Sequence, residues 1–214
     1  MPSQKAVLST AAALIPDTAT LSQIREIAAG CHACDLWQRG TQTVFGEGKS
    51  KAQIMLVGEQ PGNDEDLSGH PFVGPAGKLL DKALEDAGID RELAYVTNVV
   101  KHFKWEPRGK RRIHAKPNSQ EITACLPWLQ AEIRLVQPAL VVCLGATAAQ
   151  ALLGRTFRVT RQRGVLLDAP FAKKAMATIH PSSILRAPDE NARREETARF
   201  IADLKNAAEY LKRG

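Results

Sequence analysis

Several things are scarce in this chain of 214 residues. Long apolar runs are missing: the longest, such as Ala139–Leu144, are far too short to cross a bilayer, so no membrane span is expected. No low-complexity tract appears, and 44% hydrophobic residues is too many for a disordered chain and enough for one substantial core. Cysteine is limited to four residues, and the N-terminus MPSQKAVLSTAAALIP has no convincing signal-peptide core. A disulfide-stapled secreted scaffold is therefore disfavoured, and a cytoplasmic protein is expected. Acidic residues are outnumbered, 23 against 29 Lys and Arg, giving a net charge of +6.

That excess is concentrated. The segment Lys101–Lys116 (KHFKWEPRGKRRIHAK) holds Lys101, Lys104, Arg108, Lys110, Arg111, Arg112 and Lys116 against Glu106 alone, so the rest of the chain is neutral overall. Clustered positive charge is what a polyanion site needs, with nucleic acid the first suspect, although a solvated basic loop has the same composition. Arg155, Arg158, Arg161 and Arg163 in RTFRVTRQR form a second basic stretch, which a hairpin-like segment would turn into another phosphate patch.

The cysteines are Cys31 and Cys34, a C-x-x-C pair, with Cys125 and Cys143 far downstream. Four thiolates suit zinc or an iron–sulfur cluster; alternatively Cys125 and Cys143 are ordinary buried apolar residues, as expected inside Leu140–Leu144.

The hydrophobic pattern alternates strands with helices. Ile54–Gly58, Tyr95–Val100, Leu140–Leu144 and Ala175–Ile179 read as strands. Pro75–Ala87 reads as a helix with Leu79, Leu80, Ala83, Leu84 and Ala87 on one face. A second runs from an Asn118 or Ser119 cap to about Val136, a short one covers Thr147–Leu153, and the last spans Asn191–Lys212 with Ala198, Ile201, Leu204 and Ala208 inward. Repeated β–α units predict an α/β protein: a three-layer α/β/α sandwich around a four-stranded, mainly parallel sheet. The whole chain, 1–214, reads as one domain with residues 1–20 as an N-terminal extension, and nothing demands more than a monomer. In such sheets the ligand site lies beyond the carboxyl ends of the strands. Glu59-Gln60-Pro61-Gly62 follows the first strand, Asn98 and the basic loop the second, and His180-Pro181-Ser182 the fourth.

Five ordered motifs then carry a resemblance. Gly58-Glu59-Gln60-Pro61-Gly62 with Glu65-Asp66, Pro71–Gly77 (PFVGPAG), Val96–Lys101 (VTNVVK) and His180-Pro181-Ser182 resemble the iron–sulfur uracil-DNA glycosylases. The inserted Lys110-Arg111-Arg112-Ile113-His114 resembles the UdgX-type branch, and so does Gln60, where ordinary members carry Ala or Gly. The resemblance implies a 4Fe-4S cluster on Cys31, Cys34, Cys125 and Cys143, and excision of uracil from DNA, single strands preferred, with free uracil as product. Phe72 would supply an aromatic face and Asn98 the donor–acceptor pair for the uracil edge. Glu59 would stabilise the sugar cation, His180 would donate to the departing base, and Gln60 would orient the sugar, phosphate or attacking group. Lys101, Lys110, Arg111, Arg112, Ser182 and Ser183 are the expected DNA contacts, with capping of the following helix an alternative for the serines. In the UdgX-type branch, the resemblance implies, His114 attacks the sugar and stays bonded to it, with Arg112 holding its loop; Lys110, Arg111 and Arg112 nearby would favour the neutral imidazole that attack requires. The competing readings are a hydrolytic glycosylase with turnover and a non-catalytic single-strand or lesion sensor.

Overall fold

The computed structural model describes residues 10–213. The strands are β1 (Glu47–Gly48), β2 (Ile54–Gly58), β3 (Ala94–Asn98), β4 (Trp105–Arg108), β5 (Arg111–His114), β6 (Leu140–Leu144), β7 (Leu167–Ala169) and β8 (Ala172–Thr178). The helices are α1 (Leu21–Ala29), α2 (Asn63–Ser68), α3 (Pro75–Ala87), α4 (Ser119–Val136), α5 (Ala146–Leu153), α6 (Val159–Gln162), α7 (Pro181–Leu185) and α8 (Glu190–Arg213).

The four expected strands are there and run parallel, in the order β3-β2-β6-β8. The sheet is nevertheless six-stranded, because β1 and β7 add short antiparallel edges at either side. At two and three residues these edges are too short to leave a periodic signal. Side chains of β2 alternate between the two layers of core. Met55 and Val57 pack with Ile24, Trp128, Leu129 and Ala148 on the α1–α4–α5 side, while Ile54 and Leu56 pack with Leu80, Leu84, Phe200 and Leu204 on the α3–α8 side. Period-2 alternation through a strand buried on both faces is what makes the sandwich three-layered.

Local signals set the helix ends. Asn118 caps α4, accepting from the Glu121 N–H at 2.9 Å while the Glu121 carboxylate accepts from the Asn118 N–H at 2.7 Å. Gly88 closes α3 at φ 74°, a left-handed conformation glycine adopts without cost. The apolar face of α3 buries Leu80, Ala83, Leu84 and Ala87, with Leu79 only half-buried. In α8 the inward set is Phe200, Leu204, Ala207 and Ala208; Ala198 is exposed and lies outside that stripe. Of the expected N-terminal extension, residues 1–9 lie outside the described residues, whereas Ala11 is fully buried and its short 3-10 turn packs on α4.

The basic loop is a two-stranded antiparallel hairpin, β4–β5, that shares no ladder with the main sheet. The second arginine stretch is not a hairpin: it folds around α6, and Arg163 pairs with Asp203 at 2.7 Å and Glu196 at 2.9 Å. That ion pair removes Arg163 from any phosphate patch. Among the described residues no helix is long and apolar enough to cross a membrane.

Candidate active site

The carboxyl ends of β2 and β3 are in register, Gly58 opposite Asn98, and the backbone continues the match: Val99 and Val100 N–H groups donate to the carbonyls of Gly58 and Glu59, each at 3.0 Å. Glu59 and Asn98 therefore leave the sheet side by side. Gly58 has to be glycine, because a Cβ there would collide with Asn98 Oδ1 and come within 2.8 Å of the Phe72 ring. The aromatic face and the amide thus converge over the same bare backbone. Phe72 holds a left-handed φ of 59°, unusual for a bulky residue, and Gly77 lets its carbonyl approach where any side chain would clash. The His180 ring lies beside that of Phe72, centroids 6.2 Å apart and planes 29° from parallel.

His180 is fixed in one tautomer. Its Nδ1 accepts from the Ser182 backbone N–H at 3.1 Å, so the proton sits on Nε2, which makes no hydrogen bond among the described residues. Burial pushes its pKa down to about 4, with Glu59 working in the opposite direction. The result is a neutral N–H donor at the mouth of the site. Ser182 Oγ stays on His180 Nδ1 at 2.8 Å and Ser183 Oγ donates to the His180 carbonyl at 2.7 Å, so both expected phosphate contacts serve the start of α7.

Glu59 is half-buried. Burial alone would raise its pKa, but hydrogen bonds from His114 and from Thr147 Oγ1 outweigh it and keep the carboxyl below its ordinary value. His114 Nε2 stands 3.3 Å from Glu59 Oε1, with half its side chain exposed. The hairpin therefore brings its imidazole to the carboxylate that follows β2. Sequence reasoning missed Thr147, although it lies at the start of α5, just past the carboxyl end of β6, where the same rule that located Glu59 would have found it.

Two side chains hold the hairpin. Gln60, only 7% exposed, donates from Nε2 to the carbonyls of Lys104 and Ala115, both at 3.1 Å, and accepts at Oε1 from the Lys104 N–H at 3.2 Å. Those residues flank β4 and β5, so Gln60 clasps both legs. Arg112 bonds Asp66 at 2.6 Å, Asn63 at 2.9 Å and Thr41 at 3.2 Å, and its guanidinium lies against the rings of Phe103 and Trp105. Asp66, fully buried, belongs to the motif that opens with Gly58, but its partner was not foreseen: it is the anchor on which Arg112 is fastened. With Nε and Nη1 committed and Nη2 buried without a partner among the described residues, Arg112 fastens the hairpin to α2. Lys110 and Arg111 are exposed at its tip.

Lys101 is a clear correction. It is 1% exposed, with its ammonium 2.5 Å from Glu132, and cannot touch a phosphate. A lysine at the edge of a basic loop carries no sequence mark of burial.

The cysteines separate into three and one. Cys125 experiences the charges of Cys34 and Cys31, and Cys34 that of Cys31. Burial acts on Cys143, pushing its thiol up to about 12. The trio receives N–H···S bonds, from Trp128 Nε1 to Cys31 at 3.3 Å and from the Lys101 backbone to Cys125 at 3.2 Å. His102, next to Lys101, is buried, and burial pushes its pKa down to about 4. The Thr43 hydroxyl gives its proton to the Ala28 carbonyl at 2.9 Å, so at 3.0 Å from His102 Nε2 it can only accept. That leaves Nδ1 with its lone pair free, the tautomer of a metal-ligating histidine. Among the described residues no three such donors stand close enough to hold a single metal ion. Thiolates that interact yet do not converge on one point suit a cluster, whose several irons spread their ligands, better than mononuclear zinc.

A cavity of about 880 Å³ lies elsewhere, at the amino ends of β2, β6 and β8 among Gln53, Ile133, Gln137 and Phe171. It contains none of the residues above, and the chemistry sits at the opposite end of the sheet.

These features define a DNA-glycosylase-like site on an α/β sandwich, and the sequence agrees: the Uracil DNA glycosylase superfamily matches residues 45–205, and the chain belongs to that family. It is 38% identical over 184 residues to a Type-4 uracil-DNA glycosylase of Thermotoga maritima, covering 86% of this chain and 90% of that one. A Type-4 uracil-DNA glycosylase of Sulfurisphaera tokodaii is 37% identical over 193 residues, with 86% and 84% covered. A Type-5 uracil-DNA glycosylase of Pyrobaculum aerophilum is 29% identical over 155 residues, 64% of each chain.

Proposed function

We propose that the protein excises uracil from DNA and then bonds His114 to the abasic sugar, as in the UdgX-type branch. The observation that carries this reading is the 3.3 Å approach of His114 Nε2 to Glu59 Oε1, which delivers a hairpin imidazole to the reacting face. A flipped uracil would stack on Phe72 and pair its edge with the Asn98 amide. As the N-glycosidic bond breaks, its electron pair leaves with the base, and the neutral Nε2–H of His180 stabilises the developing negative charge. The Glu59 carboxylate, held ionised by its hydrogen bonds, stabilises the positive sugar. A ring nitrogen of His114 then attacks the anomeric carbon, and the imidazole sheds its remaining proton, with Glu59 in reach to take it. Gln60 and Arg112 position the hairpin; Lys110 and Arg111 meet the phosphates, and a single-stranded substrate suits a site that must extrude its base.

We assign the iron–sulfur cluster to Cys31, Cys34 and Cys125, with His102 as fourth donor in place of Cys143. A 4Fe-4S cluster bound there would crosslink the segment after α1, the residues after β3, and α4, acting on stability rather than on the bond-breaking step. The decisive experiment is incubation with a uracil-containing single-stranded oligonucleotide, followed by a denaturing gel. A heat- and detergent-stable adduct is expected. Free abasic DNA with turnover would reduce the protein to a hydrolytic glycosylase, and binding without release of uracil would make it a lesion sensor.

A further inference from the structure

Lys101 is committed at every polar atom it has. Its N–H donates to Cys125 Sγ at 3.2 Å, and its carbonyl accepts from the Val44 N–H at 2.8 Å. Its ammonium reaches Glu132 at 2.5 Å, Thr97 Oγ1 at 2.6 Å and the backbone carbonyl of Asn98 at 2.7 Å, over the Phe45 ring. Glu132, with no exposure at all, also accepts from the Gly46 N–H at 2.9 Å and from the hydroxyls of Tyr95 and Thr97. A buried ion pair contributes little net stability compared with an apolar pair of the same shape, so its presence here calls for another account. The two ends of Lys101 supply one: they hold different functional groups.

We propose that Lys101 is a positioning residue coupling the cluster site to the uracil reader. Its backbone holds the sulfur of Cys125 while its ammonium holds the carbonyl of Asn98, where β3 ends and the reading side chain begins. This rests on the cluster assignment above. Asn98 stands at the last residue of a strand, and the chain then turns within three residues to reach Cys125. Without the ammonium, the Asn98 peptide loses the only side-chain tether it has among the described residues, and the amide is free to rotate away from the uracil edge. Conversely, iron on Cys125 fixes the Lys101 backbone and thereby the angle from which its side chain returns to Asn98.

The test compares the native protein with Lys101→Met combined with Glu132→Gln, which removes both charges together, and with Trp128→Phe, which deletes the N–H on Cys31 and makes no hydrogen bond to Lys101 or Asn98. Two quantities are read: EDTA-driven bleaching of the visible absorption, and single-turnover uracil release from a single-stranded oligonucleotide with enzyme in excess. Trp128→Phe should bleach faster and release uracil at the native limiting rate. The Lys101/Glu132 variant should bleach faster and lose about tenfold in limiting rate, the scale on which small misplacements act, with its half-saturating concentration unchanged because the hairpin's phosphate contacts remain. A merely structural residue would lower the melting temperature and move neither quantity, and that result would overturn the proposal. Faster bleaching with a native limiting rate would overturn the coupling as well. A colourless native protein would instead refute the cluster assignment itself, a separate outcome.

Discussion

Replacing Gln60 with alanine tests whether the hairpin's placement is what separates trapping from excision. The side chain makes three hydrogen bonds to backbone groups at the base of β4 and β5 and touches neither Asn98 nor Phe72 by any hydrogen bond. At about 1 kcal/mol net for each bond, with water replacing part of the loss at half-buried Lys104 and Ala115, the hairpin loses about 1.5–3 kcal/mol of restraint. If that restraint sets how often His114 sits at Glu59, crosslinking should slow by about 10- to 150-fold. Uracil excision draws on Glu59, Asn98, Phe72 and His180, none of which Gln60 supports, and should slow far less. A single-turnover time course separates the two: adduct is read on a denaturing gel, and total excision by alkaline cleavage of parallel samples. Free abasic product, which the proposed trapping reaction withholds in the native protein, should accumulate. Parallel slowing of adduct and excision would show that Gln60 acts on the base or sugar directly, and an unchanged adduct rate would show that the clasp is redundant with Arg112.

His114→Ser should release uracil and abasic DNA with turnover and leave no adduct, because serine opens room for water on the same face of the sugar; loss of uracil release as well would mean that the imidazole is needed for base expulsion. His102→Ala should yield colourless or poorly soluble protein while Cys143→Ala stays brown, as judged by visible absorption and iron content; the reverse pattern would return Cys143 to the ligand set. Burial holds the His180 pKa near 4, below the value of about 6.5 expected when unfolded, so the unfolded chain binds the extra proton between those pH values. Its contribution to stability is complete above about pH 6.5 and lost as pH falls towards 4, at up to about 1.4 kcal/mol per pH unit. Urea melts of His180→Asn between pH 7 and 5 should show a shallower pH slope than the native protein, and equal slopes would refute the assignment.

The central strands were legible because β2 and β6 are continuous apolar runs, with Gly58 ending β2, and because β3 and β8 keep an apolar stretch in spite of Thr97, Lys173 and Lys174. The rule that ligands gather at carboxyl strand ends then singled out Glu59, Asn98 and His180 as candidates without any contact information. Burial was what the sequence concealed. Lys101 and Arg163 look like their basic neighbours, yet each is neutralised by a carboxylate from a distant helix, Glu132 in α4 and Asp203 in α8. Cys143 matched the expected ligand count, but its place in β6 buries it in the core with Val141, and burial is what raises its thiol, whereas the other three feel one another's charge. His102 stood unnoticed between two lysines because its tautomer depends on Thr43, and no pattern in the chain announces that partner.

The hairpin also bears on how such an activity can arise. It has its own two-stranded ladder and is fastened to the sandwich by Gln60 and Arg112 through groups at its base and one face. The groups proposed to bind and expel the base, by contrast, stand on elements of the α/β sandwich itself. A catalyst that releases its product and a trap consumed by it can therefore share one scaffold and one base pocket, differing by a small appendage and two fasteners. Gain or loss of the trapping step requires no redesign of the core, and lengthening or shortening β4–β5 becomes a way to set which of the two fates the abasic sugar meets.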